Sequence, residues 1–425
     1  MRTISLALIA VIALPAALAV APAASSAAAT ANNFTITPAG DTHASILDNG
    51  VPWEPYGFTL STFQDGTETT APNEAQVVNA ELNAIKGAWH GNTVRLQIEQ
   101  YQWLAGNATT PKIIQAAYDA KVQAAIQYAL SIGLVVVIND QTEGQDGFNI
   151  TNLPENPNAG TLKFWASPGM EQYKTNPNVI LDPFNEPRAY ISKAPGVYSN
   201  DYYVPPPGSG YVGLPALLRA IRADGYTSQL WIEEPGLGAL SELGVTWPKY
   251  EITGTLGANL VYSFHHTQGL LNADPTTTGY NVEFGNLVTV RGVPVVDAEW
   301  TNRTVPYGTE GHIYEPSGDT GQCWGDAPTV IPAYFAYLAA RHIGMAVWTM
   351  GNDPTDPGMD YINADGDHLN ATGSNSATAY TTANSYAGWT KTAYDGGCVT
   401  PKGGRTAGAG QDIMNWFEAE DNAPS

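Results

Sequence analysis

Basic charge is scarce in this chain. It has 18 Lys and Arg against 40 Asp and Glu, a formal net charge of −22, and only 14% of its 425 residues are charged. So few cations exclude nucleic acid and anionic membrane surfaces as partners, because both need a basic face. Beyond Val20 no apolar run is long enough to cross a bilayer. No glycine-rich turn follows the first apolar strand, which excludes a doubly wound dinucleotide-binding sheet. No repeat of solenoid period occurs. Cysteine is almost missing, with Cys323 and Cys398 alone.

Residues 1–29 have the pattern of a secretory signal peptide. Arg2 gives a positive start, Ile4 to Val20 is almost wholly apolar, and Ala17-Leu18-Ala19 and Ala27-Ala28-Ala29 both suit a cleavage point. The mature protein is therefore expected to be soluble and extracellular. There the cysteine pair suggests a disulfide, contributing on the order of 4 kcal/mol by loop entropy. The chain also carries 11 Trp and 22 Tyr. With so few charges, that mixture suits an uncharged hydroxylated ligand, although most such rings pack in cores.

From residue 30 to 401, strands and helices alternate. Asn49-Gly50 between apolar flanks signals an N-terminal hairpin. Strands are expected at 55–60, 92–98, 134–139, 179–186, 229–234, 260–265, 293–299 and 345–350. Helices are expected at 72–87, 111–131, 162–174, 214–224 and 330–342, with a last one within 384–395. Eight such units in one chain mean a single α/β domain, a closed (β/α)8 TIM barrel. Residues 402–425, Gly-rich and then acidic, have the composition of a flexible tail.

A barrel of this kind builds its site from strand C-termini and the loops after them. Two of those ends carry a carboxyl group closing an apolar run. Glu186 follows Val179-Ile180-Leu181-Asp182-Pro183-Phe184-Asn185, and Glu299 follows Val295-Val296-Asp297-Ala298. A charge there avoids a large desolvation penalty only if the strand opens into a wet cleft. Two carboxyls facing one cleft are the minimum equipment for acid/base and nucleophilic work on a glycosidic bond. The other polar strand ends are Arg95, Gln97 and Glu99; Asp140 and Gln141; Asn185; Glu233 and Glu234; His265 and His266; and Trp348.

This constellation resembles glycoside hydrolase family 5. The resemblance rests on Asn185-Glu186-Pro187 at an apolar strand end, joined by Arg95, His265, Glu299 and Trp348 at matching ends. It implies an acid/base at Glu186 and a nucleophile at Glu299, with Asn185 on a sugar 2-hydroxyl and Trp348 under a sugar ring. Two positions depart from the family pattern. Asp140-Gln141 stands where a His is usual, and His265-His266-Thr267 stands where His-x-Tyr is usual, the Tyr normally bonding the nucleophile.

The expected activity is retaining hydrolysis of a β-linked polysaccharide or oligosaccharide by a secreted monomer, without metal or cofactor, foremost as an endo-β-1,4-glucanase. The alternatives are a β-mannanase or other β-glycanase, an exo-β-glycosidase, a catalytically silent carbohydrate-binding barrel, and a metal-dependent hydrolase using the aspartates between 353 and 367. Gln141 is a further candidate for substrate binding. In the aromatic loop after Glu186, Tyr202 and Tyr203 are candidates for a sugar-stacking wall.

Overall fold

The computed structural model describes residues 32–38, 41, 43–63, 74–87, 89–106, 114–142, 156–187, 202–233, 252, 254–266, 277–300, 303–304, 313–314, 322–324, 327–348, 350 and 409–422. The chain divides into Met1–Ala31 and Asn32–Ser425. The first unit, with the expected leader, lies outside the described residues, as do the 384–395 helix and Cys398. Among the described residues no helix is long and apolar enough to cross a membrane.

Strands β1 (Phe34–Ile36), β2 (Ile46–Asp48) and β3 (Val51–Trp53) form a small antiparallel sheet, turned by Asn49 and Gly50 at φ 52° and 84°. The barrel strands are β4 (Tyr56–Leu60), β5 (Thr93–Glu99), β6 (Val135–Gln141), β7 (Val179–Asp182), β8 (Leu230–Glu233), β9 (Leu260–His266) and β10 (Val295–Trp300). After the short antiparallel strands β11 (Arg303–Thr304), β12 (Ile313–Tyr314) and β13 (Gln322–Trp324) comes β14 (Met345–Val347), which pairs with both β10 and β4 and closes the ring. This is a closed, eight-stranded, all-parallel (β/α)8 barrel.

Alternation along each strand sorts residues to two faces. On β6, Val136 and Ile138 join the large core between barrel and helices, whereas Val135 and Val137 face the lumen. The lumen core also takes Ile180, Trp231, Val261, Val296 and Ala298, and it includes Phe34 and Ile46 of the N-terminal sheet. That sheet therefore plugs the lower end of the barrel, and Asn259 at the foot of β9 donates to Phe34 O at 2.9 Å. Above this apolar plug the lumen positions turn polar, with Arg95 and Gln97 on β5, Asn139 on β6, Asp182 on β7, Glu233 on β8 and His265 on β9, all buried.

Glu299 breaks the alternation. Val295 packs outward, Asp297 accepts from Tyr334 Oη at 2.6 Å on the helix side, and Val296 and Ala298 face the lumen. Glu299 would then point outward. A bulge intervenes: Asp297 pairs with Phe264, but the next pairing is Glu299 with His265. The extra residue re-aims Glu299 into the lumen beside His265. Trp300 returns to the outer face against Tyr334 and Phe335.

Two expectations need correction. The 162–174 helix is two helices, Ala159–Trp165 and Pro168–Glu171. Pro168 forces Ser167 to an extended conformation (ψ 143°), and Asn158 opens the first helix with a capping box. The 402–425 stretch is not a flexible tail throughout, because Ala409–Asp421 is a helix. Its Ile413, Met414, Trp416 and Phe417 recur at helical spacing and are buried. Trp416 stacks on Phe335 at 4.9 Å, and Phe417 packs on Tyr56 and Phe58. The helix end is pinned by Asp421, 3.2 Å from His90.

Candidate active site

Arg95 is the hub of the polar lumen. Its guanidinium donates to Asp182 at 2.8 Å, Asn185 Oδ1 at 2.6 Å and Glu233 Oε1 at 3.0 Å, and through Nη1 to Glu299 Oε1. A planar fork of five N–H donors suits four acceptors on three strands and a turn. Gln97, two residues on and on the same face, donates to Glu299 Oε1 at 2.6 Å.

Glu186 reaches the same space by a different device. After β7, Pro183 ends the strand and the chain turns, so that Glu186 sits at φ 44°, a left-handed conformation of order 1–3 kcal/mol in cost for a non-glycine residue. Two bonds fix the turn. Asn185 N–H donates to Asp140 O at 2.9 Å, and Glu186 N–H donates to Glu233 Oε2 at 2.6 Å. The surrounding bonds thus hold a buried carboxylate in a conformation that it would not adopt unaided. His265 stands between the two acids, its Nδ1 2.9 Å from Glu186 Oε1 and 3.4 Å from Glu299 Oε2, with Nε2 3.1 Å from Glu233. One oxygen of Glu186, one of Glu299 and one His265 nitrogen all lie within 4.8 Å of each other.

The electrostatics follow from burial and proximity. Burial pulls the His265 imidazolium down, but Glu233 and Glu299 outweigh it, and the ring holds its proton well above the usual histidine range. Burial pulls Arg95 down too, and Asp182, Glu299 and Glu233 more than restore it. Burial pushes Glu233 up, yet His265, Arg95 and the Glu186 N–H hold it below the ordinary carboxylate range. Asp182 is pushed up to about 7, by burial first, against the pull of Arg95. For Glu299 burial is the largest influence and leaves the carboxyl above its ordinary value, although His265 and Arg95 draw it back. Glu299 is thus a buried carboxyl in which desolvation outweighs the pull of His265 and Arg95.

The profile described as Cellulase (glycosyl hydrolase family 5) matches residues 56–354, the span from β4 to just past β14. The chain belongs to glycoside hydrolase family 5. It is accordingly an O-glycosyl hydrolase of the cellulase-like, retaining kind. No curated protein sequence matches the chain. Among solved structures it is similar to the catalytic domain of an endoglucanase from Thermobifida fusca, with 15% identity, a TM-score of 0.53, and coverage of 91% of this chain and 97% of that one. It is similar also to the catalytic domain of a mannanase from Streptomyces sp. SirexAA-E, with 16% identity, a TM-score of 0.51, and coverage of 82% and 90%. An endocellulase from the archaeon Pyrococcus horikoshii gives 14% identity, a TM-score of 0.53, and coverage of 92% and 99%. At such identities these likenesses are of fold.

Of the residues singled out in the sequence, Glu186, Glu299, Arg95, Asn185 and His265 form one bonded cluster. Trp348 lies beyond β14, half-buried. The alternation that sends Met345 and Val347 outward turns it to the lumen side, and its N–H donates to Trp300 O at 2.8 Å. Gln141 is buried at the mouth of β6, its Oε1 taken by the N–H of Thr142, and among the described residues it makes no hydrogen bond to either acid. Tyr202 is a correction. Its ring is 1% exposed, belongs to the main core and meets Tyr203 at 5.3 Å, so both rings pack in the core instead of walling a cleft. Glu234, the 353–367 aspartates and most of that loop lie outside the described residues. Sequence reasoning underrated Gln97, Asp182 and Glu233. Their signal was the period-2 pattern, which places Gln97 with Arg95 and puts Asp182 and Glu233 at lumen positions of β7 and β8.

Proposed function

We propose that this protein is a secreted endo-β-1,4-glucanase that cleaves by double displacement. Glu186 is the acid/base and Glu299 the nucleophile. In the first step Glu299 Oε2 attacks the anomeric carbon, the C–O bond to the leaving sugar breaks, and Glu186 delivers its proton to the departing oxygen. A glycosyl ester to Glu299 results. In the second step Glu186 takes a proton from water, the hydroxide oxygen attacks the same carbon, and Glu299 departs as the carboxylate. The observation that carries this reading is the approach of one oxygen of each carboxyl to within 4.8 Å of the other. Retaining pairs stand about 5–5.5 Å apart, and inverting pairs, which must admit a water, about 6.5–9.5 Å.

Other groups take supporting roles. Asn185 gives Oδ1 to Arg95, which leaves its Nδ2 to donate to a sugar hydroxyl. His265, with Nδ1 2.9 Å from Glu186 Oε1, holds that carboxyl in place through both steps. The trio of Glu186, Glu299 and His265 is compact enough for a cation, and a chelator arm in the experiment below separates that reading from the two-acid one. The leader pattern of residues 1–29 supports export, and the acidity supports a neutral glycan ligand over nucleic acid or membrane.

A panel of soluble β-1,4-glucan, β-mannan, xylan and aryl-β-glycosides, with wild type beside Glu186→Gln and Glu299→Gln, tests the reading. β-1,4-Glucan is expected to be cleaved internally, each variant to lose about three or more powers of ten in kcat, and chelator to change nothing. Preference for mannan would reassign the substrate. Glycan binding without turnover would make this a silent barrel, and loss of activity with chelator would make it a metal-dependent hydrolase.

A further inference from the structure

We propose that Gln97 is a positioning residue for the nucleophile: its carboxamide Nε2 anchors Glu299 by Oε1 and leaves Oε2 as the attacking oxygen. The inference rests on Glu299 being the nucleophile. Gln97 lies on the lumen face of β5, 1% exposed, with Nε2 2.6 Å from Glu299 Oε1. Its own Oε1 has no partner among the described residues, so its polar work at this site is donation alone. A carboxylate neighbour also settles which way the amide points, since only nitrogen can donate to it.

Arg95 donates to the same oxygen, but it is shared among Asp182, Asn185, Glu233 and Glu299 and cannot orient one of them by itself. Among the described residues Gln97 donates to Glu299 only. Two donors on Oε1 stop rotation of the carboxylate about its last bond and concentrate the hydrogen bonding on one atom. Oε2 keeps its lone pairs, with His265 Nδ1 as the near group at 3.4 Å on the Glu186 side. The anchor also compensates the burial that disfavours the charged form of Glu299, because a donor to the ionised oxygen stabilises that form.

The experiment measures the inactivation rate constant with 2,4-dinitrophenyl 2-deoxy-2-fluoro-β-cellobioside and its mannobioside counterpart, locating the adduct by peptide mass spectrometry. Dinitrophenolate departs without help from an acid, so the rate reports the nucleophile and not Glu186. Wild type should be labelled on Glu299. Gln97→Met, which keeps the volume and removes the donor, should be labelled roughly tenfold to hundredfold more slowly. Its rising pH limb should move to higher pH by about one unit or more. Gln97→Glu, nearly isosteric, should be slower still at neutral pH, and it carries the test if the Met variant fails to fold by circular dichroism. Folded Gln97→Met labelled at the wild-type rate would overturn the proposal and spare Glu299. A slower rate with an unmoved pH limb would also overturn it, since that is mere packing. Wild type unlabelled by either probe would remove the nucleophile assignment and this proposal with it.

Discussion

At the scale of single residues, the site puts more carboxyls than cations into a closed space. Glu186, Glu299, Glu233 and Asp182 gather around Arg95 and His265. Desolvation favours the neutral acid, and each cation favours the ionised one. For Glu299 desolvation leads, which has a measurable consequence. As the proposed nucleophile it must be ionised to attack, and its value in the folded enzyme stands above the ordinary 4.5. On the acid side, activity is therefore lost as pH falls through that raised value. The acid limb of kcat/KM for the free enzyme should have its midpoint above 4.5, and a midpoint below it would mean that Arg95 and His265 outweigh burial. Glu186 was the most legible residue in the chain, because Asn185-Glu186-Pro187 ends an apolar run. Its left-handed backbone was not legible at all, since it depends on Glu233 and Asp140, residues remote in sequence.

Among the elements, legibility followed local periodicity. The β5, β6 and β9 strands and the Gln115–Ser131 helix fall within a few residues of their expected positions, since alternation, apolar runs and helical spacing are local properties. The bulge in β10 had no local signal, because nothing in Val295-Val296-Asp297-Ala298-Glu299 marks an extra residue. Reading the strand by strict alternation puts Glu299 outside the barrel, and only the pairing with β9 corrects that. The Ala409–Asp421 helix was missed for a related reason. Its Gly-rich approach and acidic end are what a disordered tail shows, whereas its order comes from tertiary contact with Tyr56, Phe58 and Phe335. Trp416→Ala should destabilise the protein by about 3–5 kcal/mol in denaturant unfolding, the range for removing a buried aromatic. An unchanged midpoint would return that stretch to the status of a tail.

On the scale of the whole molecule, the barrel divides its labour along its axis. The N-terminal sheet and an apolar layer seal one end, and each step toward the strand C-termini exchanges Val and Ile for Arg, Gln, Asp and Glu. The polar layer is braced, because each barrel strand that bears its side chains is paired on both sides. Such bracing suits the proposed reaction, in which one carboxyl must reach the anomeric carbon and the other the leaving oxygen, and small displacements are expensive in rate. The fold class was legible from the count and alternation of elements. The meeting of Glu186 and Glu299 was an expectation until the barrel closed. Its most direct test is a proton NMR time course of β-glycoside hydrolysis, read within the first minutes, before mutarotation. The two-acid account predicts that the β-anomer of the reducing sugar appears first. An α-anomer appearing first would mean inversion, and the assignment of Glu299 as a nucleophile would fail.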